Sequence, residues 1–221
     1  MKNIINITEL LKGMCIIGLY YLLSNVYAIP FTFFINENNR GYLTLIYSFL
    51  LALTFFLIYI KDIIKNIKGF KKDYFKIGLN YWLKGLFIMV SSSLVLNFFN
   101  LGISNNEAAN RALINMYPIP EIISGIIIAP VLEELVFRRS LKKFTTNIHL
   151  YAFTTGIIFG LIHVISSLSN PINILFLIPY SAMGIAFGYA YFKTDNILTT
   201  MSIHSFHNTL TLISLFLLGG I

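Results

Sequence analysis

The chain of 221 residues is 57% hydrophobic and only 11% charged, with a mean hydropathy of +0.76 and a formal net charge of +7. Soluble domains carry about 25% charged residues, so this composition excludes an ordinary soluble protein, and it also excludes collagen, coiled-coil and disordered chains. The single cysteine, Cys15, excludes an intrachain disulfide framework.

Seven apolar stretches follow one another along the chain. They lie near 13–35, 41–60, 77–99, 119–137, 151–168, 172–192 and 196–219. Only helices and closed barrels satisfy their backbone in lipid, and these stretches are too long and continuous for barrel strands. We therefore predict an all-α, polytopic membrane helix bundle of about seven transmembrane helices, formed as a single integral membrane domain over residues 1–221. The connecting segments, including 61–76 and 100–118, are predicted as polar loops.

Lysine and arginine are distributed unequally between these loops. With a cytoplasmic N-terminus, thirteen of them fall on the cytoplasmic side and two, Arg40 and Arg111, fall outside. This is the positive-inside pattern, so we predict a cytoplasmic N-terminus and a multi-pass location in the cell membrane. The basic charge then suits lipid headgroups, and no nucleic-acid partner is expected. Richness in Ile, Asn and Lys favours a bacterial source.

Two features each have two interpretations. The first stretch contains Val26-Tyr27-Ala28, which fits a signal-peptide cleavage site, although we expect an uncleaved first helix. The small-residue pairs Gly156/Gly160 and Gly184/Gly188 suit either packing within the chain or association of two chains. The oligomeric state is therefore open at this point.

Ionisable residues inside the apolar stretches are the functional candidates, because burying them in a membrane is costly. They are Glu133 and Glu134 in the fourth stretch, His163 in the fifth, and His204 and His207 in the seventh. Adjacent glutamates on a helix point about 100° apart, so we expect the two to have different roles. Glu134 lies four residues before Arg138, which predicts an ion pair. Glu133 has no local partner and suits a general base.

Helical spacing groups the other candidates. Phe159 and His163 are four apart, as are His204 and Asn208, so each pair shares one helix face. From the expected cytoplasmic helix ends, Glu133, His163 and His204 lie about 15, 18 and 12 Å deep at 1.5 Å per residue. These depths are compatible with one polar cluster inside the bundle. The alternative is that the polar side chains only hold neighbouring helices together.

The absence of several sequence patterns excludes some kinds of catalytic site for such a cluster. The sequence has no Gly-x-Ser-Gly, no aspartate within the apolar stretches and no His-Glu-x-x-His. The remaining groups suit activation of a water, with Glu133 as the base and His163 holding the water. His204 and Asn208 would donate to the developing oxyanion. Alternatively, Glu133, His163 and His204 hold Zn²⁺ as a cofactor. His207, about 60° to one side, would be a further ligand.

Three motifs together resemble the CPBP (Abi) family, which comprises CAAX prenyl endopeptidases and bacteriocin-processing or immunity proteins. They are Glu133-Glu134-x-x-x-Arg138, Phe159-x-x-x-His163 and His204-x-x-x-Asn208, in this order. The resemblance covers about 119–210, which we predict as the motif-bearing catalytic core. His207 is an addition to the family's pattern, and seven stretches make a short chain for this family.

The resemblance implies roles for the motif residues. Glu133 is the water-activating residue and His163 its partner. His204 and Asn208 polarise the scissile carbonyl. The supporting residues are Glu134, Arg138 and Phe159.

These observations favour an intramembrane, CAAX-like endopeptidase. Its expected partners are the lipid bilayer and a membrane-associated peptide or protein substrate, as in bacteriocin or signalling-peptide processing or self-immunity. One alternative is a non-catalytic bacteriocin immunity or membrane scaffold protein. Another is a small proton-coupled carrier, although the sequence shows no inverted repeat of the kind that carriers often have.

Overall fold

The structure is a computed structural model that describes residues 5–168 and 170–217. Within these ranges the ordered elements are helical, apart from an isolated bridge between Ile5 and Thr145. The predicted all-α class is therefore confirmed. Lys2 and positions 218 and 219 of the seventh predicted stretch lie outside the described residues.

The described residues form ten α-helices joined by π and 3-10 turns. The α-helices are α1 (Ile7–Thr32), α2 (Arg40–Ile58), α3 (Ile60–Lys68), α4 (Lys72–Phe98), α5 (Asn105–Met116), α6 (Pro118–Ile123), α7 (Ala129–Glu134), α8 (Ile148–Val164), α9 (Leu177–Thr194) and α10 (Ile197–Leu217). The π turns are Ser124–Ile128 and Leu135–Arg139, and the 3-10 turns are Ile165–Ser167 and Pro171–Phe176. We call residues 118–139, which run through α6, α7 and both π turns, the composite helix.

Five helices of the described ranges are long and apolar enough to cross a membrane. They are α1, α2, α4, and α8 and α9 with their adjoining 3-10 turns. The fourth and seventh predicted crossings are not among them. The π turns divide the composite helix into short α-helices, and polar residues including His204 and Asn208 lower the hydropathy of α10. The number of seven crossings and the cytoplasmic N-terminus stay predictions.

Two of the predicted polar loops contain helices, α3 and α5. In α3, Ile60, Ile63 and Ile67 recur at helical spacing. In α5, the Ser104 side chain caps the helix by accepting a hydrogen bond of 3.0 Å from the Glu107 N–H. The loop prediction was wrong because it followed the polarity of these segments and overlooked their helical periodicity and cap.

Contacts between connecting segments define two ends of the bundle. The basic end, as we call it, contains residues 5–6, 59–76, 139–147 and 194–197, and the opposite end contains residues 33–39, 99–117, 165–168 and 170–176. An ion pair between Asp62 and Arg139 joins segments at the basic end. The hydroxyl of Tyr117 donates to the carbonyl of Glu37 at the opposite end. The chain thus passes back and forth between two ends, as a polytopic bundle requires.

The second half of the composite helix lies in the middle of the bundle. Five consecutive residues, from Glu134 to Arg138, are fully buried. A helix buried all round has neighbours on every face. Tyr20 of α1 and Phe159 of α8 both pack edge-on against Phe137, with ring centres 5.7 and 6.4 Å away. This arrangement places the two adjacent glutamates inside the protein.

Helices α8 and α9 approach closely through their glycines. A Cβ added to Gly156 would clash with the backbone nitrogen of Ile185, and one added to Gly184 would lie 2.8 Å from the carbonyl oxygen of Gly156. Small residues permit such close backbone contact between membrane helices. Gly156 and Gly184 therefore pack against each other within one chain, while Gly160 and Gly188 pack against Ser181 and Ala152 of the facing helix.

We expect Gly156→Ala to lower the free energy of unfolding by about 1–3 kcal/mol, because the obstructing atoms include the backbone nitrogen and Cα of Ile185, which cannot rotate away. The matched control is Gly18→Ala, since a Cβ at Gly18 meets nothing within 4 Å. Denaturant titration of both purified variants measures the difference. Equal stability of the two variants would contradict the close approach of α8 and α9.

Candidate active site

A buried ion pair joins two motif residues of the composite helix. Glu134 Oε1 and Arg138 Nη1 are 3.3 Å apart, and neither side chain is exposed. The guanidinium carbon of Arg138 lies 4.2 Å from the ring centre of Phe159 and 5.8 Å from that of Phe187. Ring faces attract cations, so aromatic groups and a carboxylate replace water around Arg138. The ion pair predicted from the spacing is confirmed.

His204 of α10 lies between the two glutamates. Its Nδ1 is 3.0 Å from Glu134 Oε1. An ionised carboxylate only accepts hydrogen bonds, so Nδ1 carries the proton and donates it. The other nitrogen, Nε2, is 3.8 Å from Glu133 Oε2, which is too long for a direct hydrogen bond. Glu134 therefore fixes the orientation of the imidazole and directs Nε2 towards Glu133.

The two adjacent glutamates have different surroundings. The side chain of Glu133 is 21% exposed, whereas that of Glu134 is 0% exposed. Glu133 is the more accessible carboxylate of the cluster, so a substrate or water molecule reaches it more readily than Glu134.

His163 of α8 has a defined tautomer. Its Nδ1 is 2.7 Å from the carbonyl oxygen of Phe159, one turn earlier. A carbonyl accepts hydrogen bonds, so Nδ1 donates, and in the neutral ring Nε2 keeps its lone pair. Electrostatic interactions link His163 to Glu133 and to His204. His163 thus presents a hydrogen-bond acceptor near the carboxylate of Glu133.

Two aromatic residues of α9 contact the site and were not predicted. Tyr180 stacks on His163 with ring centres 4.8 Å apart, and Phe187 lies 4.9 Å from His204. The hydroxyl of Tyr180 is hydrogen-bonded to Ser104 at 2.7 Å. Both aromatic residues belong to an apolar stretch, where nothing in the sequence separates them from ordinary core residues.

Asn208 contacts the first π turn of the composite helix. Its amide donates to the carbonyl of Gly125 at 2.7 Å, and Ser205, also not predicted, donates to the carbonyl of Ile126 at 2.7 Å. Pro130 has no N–H for the carbonyls four and five residues before it. Side chains of α10 supply the missing donors. An amide nitrogen has two hydrogens, so Asn208 keeps one for another acceptor.

His207 faces a different neighbour. The indole nitrogen of Trp82 lies 3.3 Å from His207 Nδ1. Indole N–H only donates, so Nδ1 accepts and Nε2 carries the proton in the neutral ring. Neither nitrogen of this tautomer has a free lone pair for a metal ion. In residues 5–168 and 170–217, no group of three or more His, Cys, Asp and Glu side chains is arranged to hold a metal. Zinc binding stays a prediction without a ready ligand set there.

We expect His207→Phe to cost about 1 kcal/mol of stability, the net contribution of one hydrogen bond, and to leave peptide cleavage intact. The measurement is thermal unfolding together with cleavage of a fluorogenic membrane peptide. Loss of cleavage in a folded His207→Phe variant would show that this histidine takes part in the chemistry.

The fold and the site together define a class of protein. The motif residues that meet in the cluster are Glu133, Glu134, Arg138, Phe159, His163 and His204, with Asn208 one turn further along α10. A helical bundle with five apolar, membrane-length helices surrounds them. The chain is a multi-pass membrane protein with a polar site between its helices.

Residues 115–210 match the model of a protein family described as type II CAAX prenyl endopeptidase Rce1-like. The matched region runs from the end of α5 into α10 and contains all three motifs. The resemblance to the CPBP family of CAAX proteases is therefore confirmed over this region of the chain.

A curated protein of Bacillus subtilis (strain 168), named "Putative membrane peptidase YdiL", is 26% identical to the chain over 178 residues. The shared part makes up 75% of this chain and 68% of that protein. No solved structure matches the chain. The similarity thus extends beyond the motif-bearing region into the rest of the chain.

Proposed function

We propose that the chain is an intramembrane endopeptidase that hydrolyses a membrane-associated peptide or protein with a water activated by Glu133. The observation that carries this proposal is the position of His204, whose Nδ1 contacts Glu134 while its Nε2 faces Glu133 at 3.8 Å. The family match and the name of the relative support peptide hydrolysis.

The attacking water donates one hydrogen bond to Glu133 and the other to Nε2 of His163. Both atoms accept hydrogen bonds, which leaves a lone pair of the water oxygen to attack the scissile carbonyl carbon. As the carbon–oxygen bond forms, Glu133 takes a proton from the water. Glu133 later gives that proton to the amide nitrogen as the carbon–nitrogen bond breaks, so the carboxylate is regenerated.

The developing oxyanion is stabilised by His204 and Asn208. Donation from His204 to the oxyanion requires a hydrogen on Nε2 as well as on Nδ1, so in this proposal the ring acts as an imidazolium. Its Nε2–H then points towards the reacting centre. The second amide hydrogen of Asn208 is the other donor. Donors fixed before the reaction lower the energy of the charged transition state.

The proposed biological role is maturation of a bacteriocin or signalling peptide, or self-immunity against such a peptide. Its chemistry requires a peptide that enters the bilayer, because the glutamates and histidines lie between membrane helices. Zinc bound by Glu133, His163 and His204 is the alternative means of activating the water.

The deciding experiment compares purified wild type and His204→Asn in liposomes against a fluorogenic library of membrane peptides, each with and without a strong chelator. The asparagine amide takes the position of Nδ1 and keeps the donor to Glu134, but the Nε2 atom is lost. We expect cleavage by wild type and its loss in the variant. Cleavage that disappears with chelator would favour zinc, and cleavage that persists would favour the metal-free route.

A non-catalytic immunity or scaffold protein is the second candidate. The observation in its favour is the complete burial of the Glu134–Arg138 pair, since such polar groups also hold helices together in lipid. Absence of cleavage by either protein, with partner binding retained by both, would favour the scaffold. Ion-dependent flux without cleavage would favour a carrier.

A further inference from the structure

Helix α3 has three distinct faces. At about 100° per residue, Asp62, Ile63 and Asn66 share one side, and all three are buried or half-buried against the protein. The second side carries apolar residues and the third carries lysines. A helix with one side on protein, one apolar and one basic is suited to lie along a membrane surface.

The apolar and basic sides of α3 are exposed. Ile64 and Ile67 are 45% and 58% exposed, and Phe70, just after the helix, is 38% exposed. Lys61, Lys65 and Lys68 are exposed on a face about 100° from the centre of the apolar side. With the isoleucines in the hydrocarbon, these lysines reach the level of the headgroups. The partner that fits both sides at once is an anionic lipid surface.

The protein side of α3 holds both segments that carry the candidate site. Asp62 forms an ion pair with Arg139, the residue after Arg138 in the composite helix. Asn66 accepts a hydrogen bond of 2.6 Å through Oδ1 from the N–H of Ile197, where α10 begins. The Asn196 amide donates to the carbonyl of Asn66 at 2.8 Å. Helix α3 therefore links the composite helix to α10.

We propose that α3 binds the headgroups of anionic phospholipids through Lys61, Lys65 and Lys68, and that this contact stabilises the docking of α3 on the composite helix and α10. Other lysines of the basic end, such as Lys143 and Lys193, lie outside this helix and do not share its apolar side. The proposal is independent of peptide cleavage, because it concerns lipid binding and stability only.

The test measures retention of phosphatidylglycerol by native mass spectrometry, and the unfolding temperature of the full chain with added phosphatidylglycerol or phosphatidylcholine. We expect phosphatidylglycerol to bind more tightly and to raise the unfolding temperature more. Lys61→Gln with Lys65→Gln should weaken its binding roughly five-fold for each lysine, since a lysine near an anionic surface contributes about 1 kcal/mol. The charge-matched control, Lys143→Gln with Lys193→Gln, should bind nearly as wild type.

A further variant separates binding from coupling. Asn66→Ala keeps the lysines, so it should retain phosphatidylglycerol while losing most of the rise in unfolding temperature. Arginine in place of Lys61 and Lys65 keeps both positive charges, so this double variant should bind phosphatidylglycerol more tightly than the glutamine double variant. The proposal would be overturned if both glutamine double variants lost phosphatidylglycerol binding equally, or if the two lipids raised the unfolding temperature equally. It would also be overturned if inorganic phosphate raised the unfolding temperature as much as phosphatidylglycerol does, or if Asn66→Ala kept the full rise.

Discussion

Replacement of Glu133 by glutamine is expected to lower kcat/KM for peptide cleavage by roughly 10²–10⁴-fold, the usual contribution of a general base. Glutamine keeps the size and hydrogen bonding of the side chain but cannot accept the proton of the water. Because Glu133 is part-exposed and 3.8 Å from His204 Nε2, its substitution leaves the buried pair intact. The unfolding free energy should change by no more than about 0.5 kcal/mol.

The matched control for this substitution is Glu121→Gln on the same composite helix. Glu121 is twelve positions earlier, about 18 Å away along a helix, and we expect its substitution to leave kcat/KM unchanged. The measurement combines cleavage of one fluorogenic peptide with thermal unfolding of each variant. Normal cleavage by Glu133→Gln would rule out its role as the base, and equal losses in both variants would point to a general effect of charge removal.

Replacement of Glu134 by alanine is expected to have the largest effect on stability, about 3–5 kcal/mol. The substitution leaves the guanidinium of Arg138 buried without its carboxylate, and it removes the acceptor of His204 Nδ1. The cost of an uncompensated buried charge exceeds the net value of the ion pair itself. Denaturant unfolding of the purified variant measures this loss.

A double variant separates the cost of the uncompensated buried charge from the net contribution of the ion pair to stability. Glu134→Leu with Arg138→Leu removes both charges together, and replacing a buried pair by apolar residues is often neutral or stabilising. We therefore expect the double variant to be more stable than Glu134→Ala and yet inactive, because His204 loses the partner that orients it. A double variant as unstable as the single one would show that the pair is itself a main source of stability.

Substitutions of the two adjacent glutamates are thus expected to change different measured quantities. Loss of Glu133 affects the rate and spares stability, whereas loss of Glu134 affects stability and affects the rate only through His204. This contrast arises because one side chain is fully buried in an ion pair and the other is accessible. A non-catalytic scaffold would have no rate of peptide cleavage to lose, so this contrast also tests the proposed function.

Local spacing predicted part of this site and could not predict the rest. The four-residue interval between Glu134 and Arg138 sufficed for the ion pair, because both residues lie on one helical segment. The contacts of His204 with both glutamates depend on how α10 packs against the composite helix. The stacking of Tyr180 on His163 likewise needs α9 in place, and an aromatic residue in an apolar stretch gives no sign of it.

The helical class of the chain followed from its apolar stretches, but the details of the helices did not. The fourth stretch was predicted as one crossing, and the carbonyls of its first π turn accept hydrogen bonds from Ser205 and Asn208, which lie about 80 residues later. The sequence left two interpretations for Gly156 and Gly184, since small residues suit contacts within a chain and between chains alike. Only the position of α9 against α8 distinguishes them.

The π turn at residues 124–128 has a consequence for how the length of this segment can vary. A π turn holds one residue more than the α-helical turn it replaces. Loss of one residue there can convert it to α-helix and keep Glu133 in rotational phase with α6. Helix α7 has no such extra residue, so loss of one residue within it would rotate α6 by about 100° relative to the two glutamates. The composite helix can therefore shorten at its π turns, where the geometry absorbs a deletion.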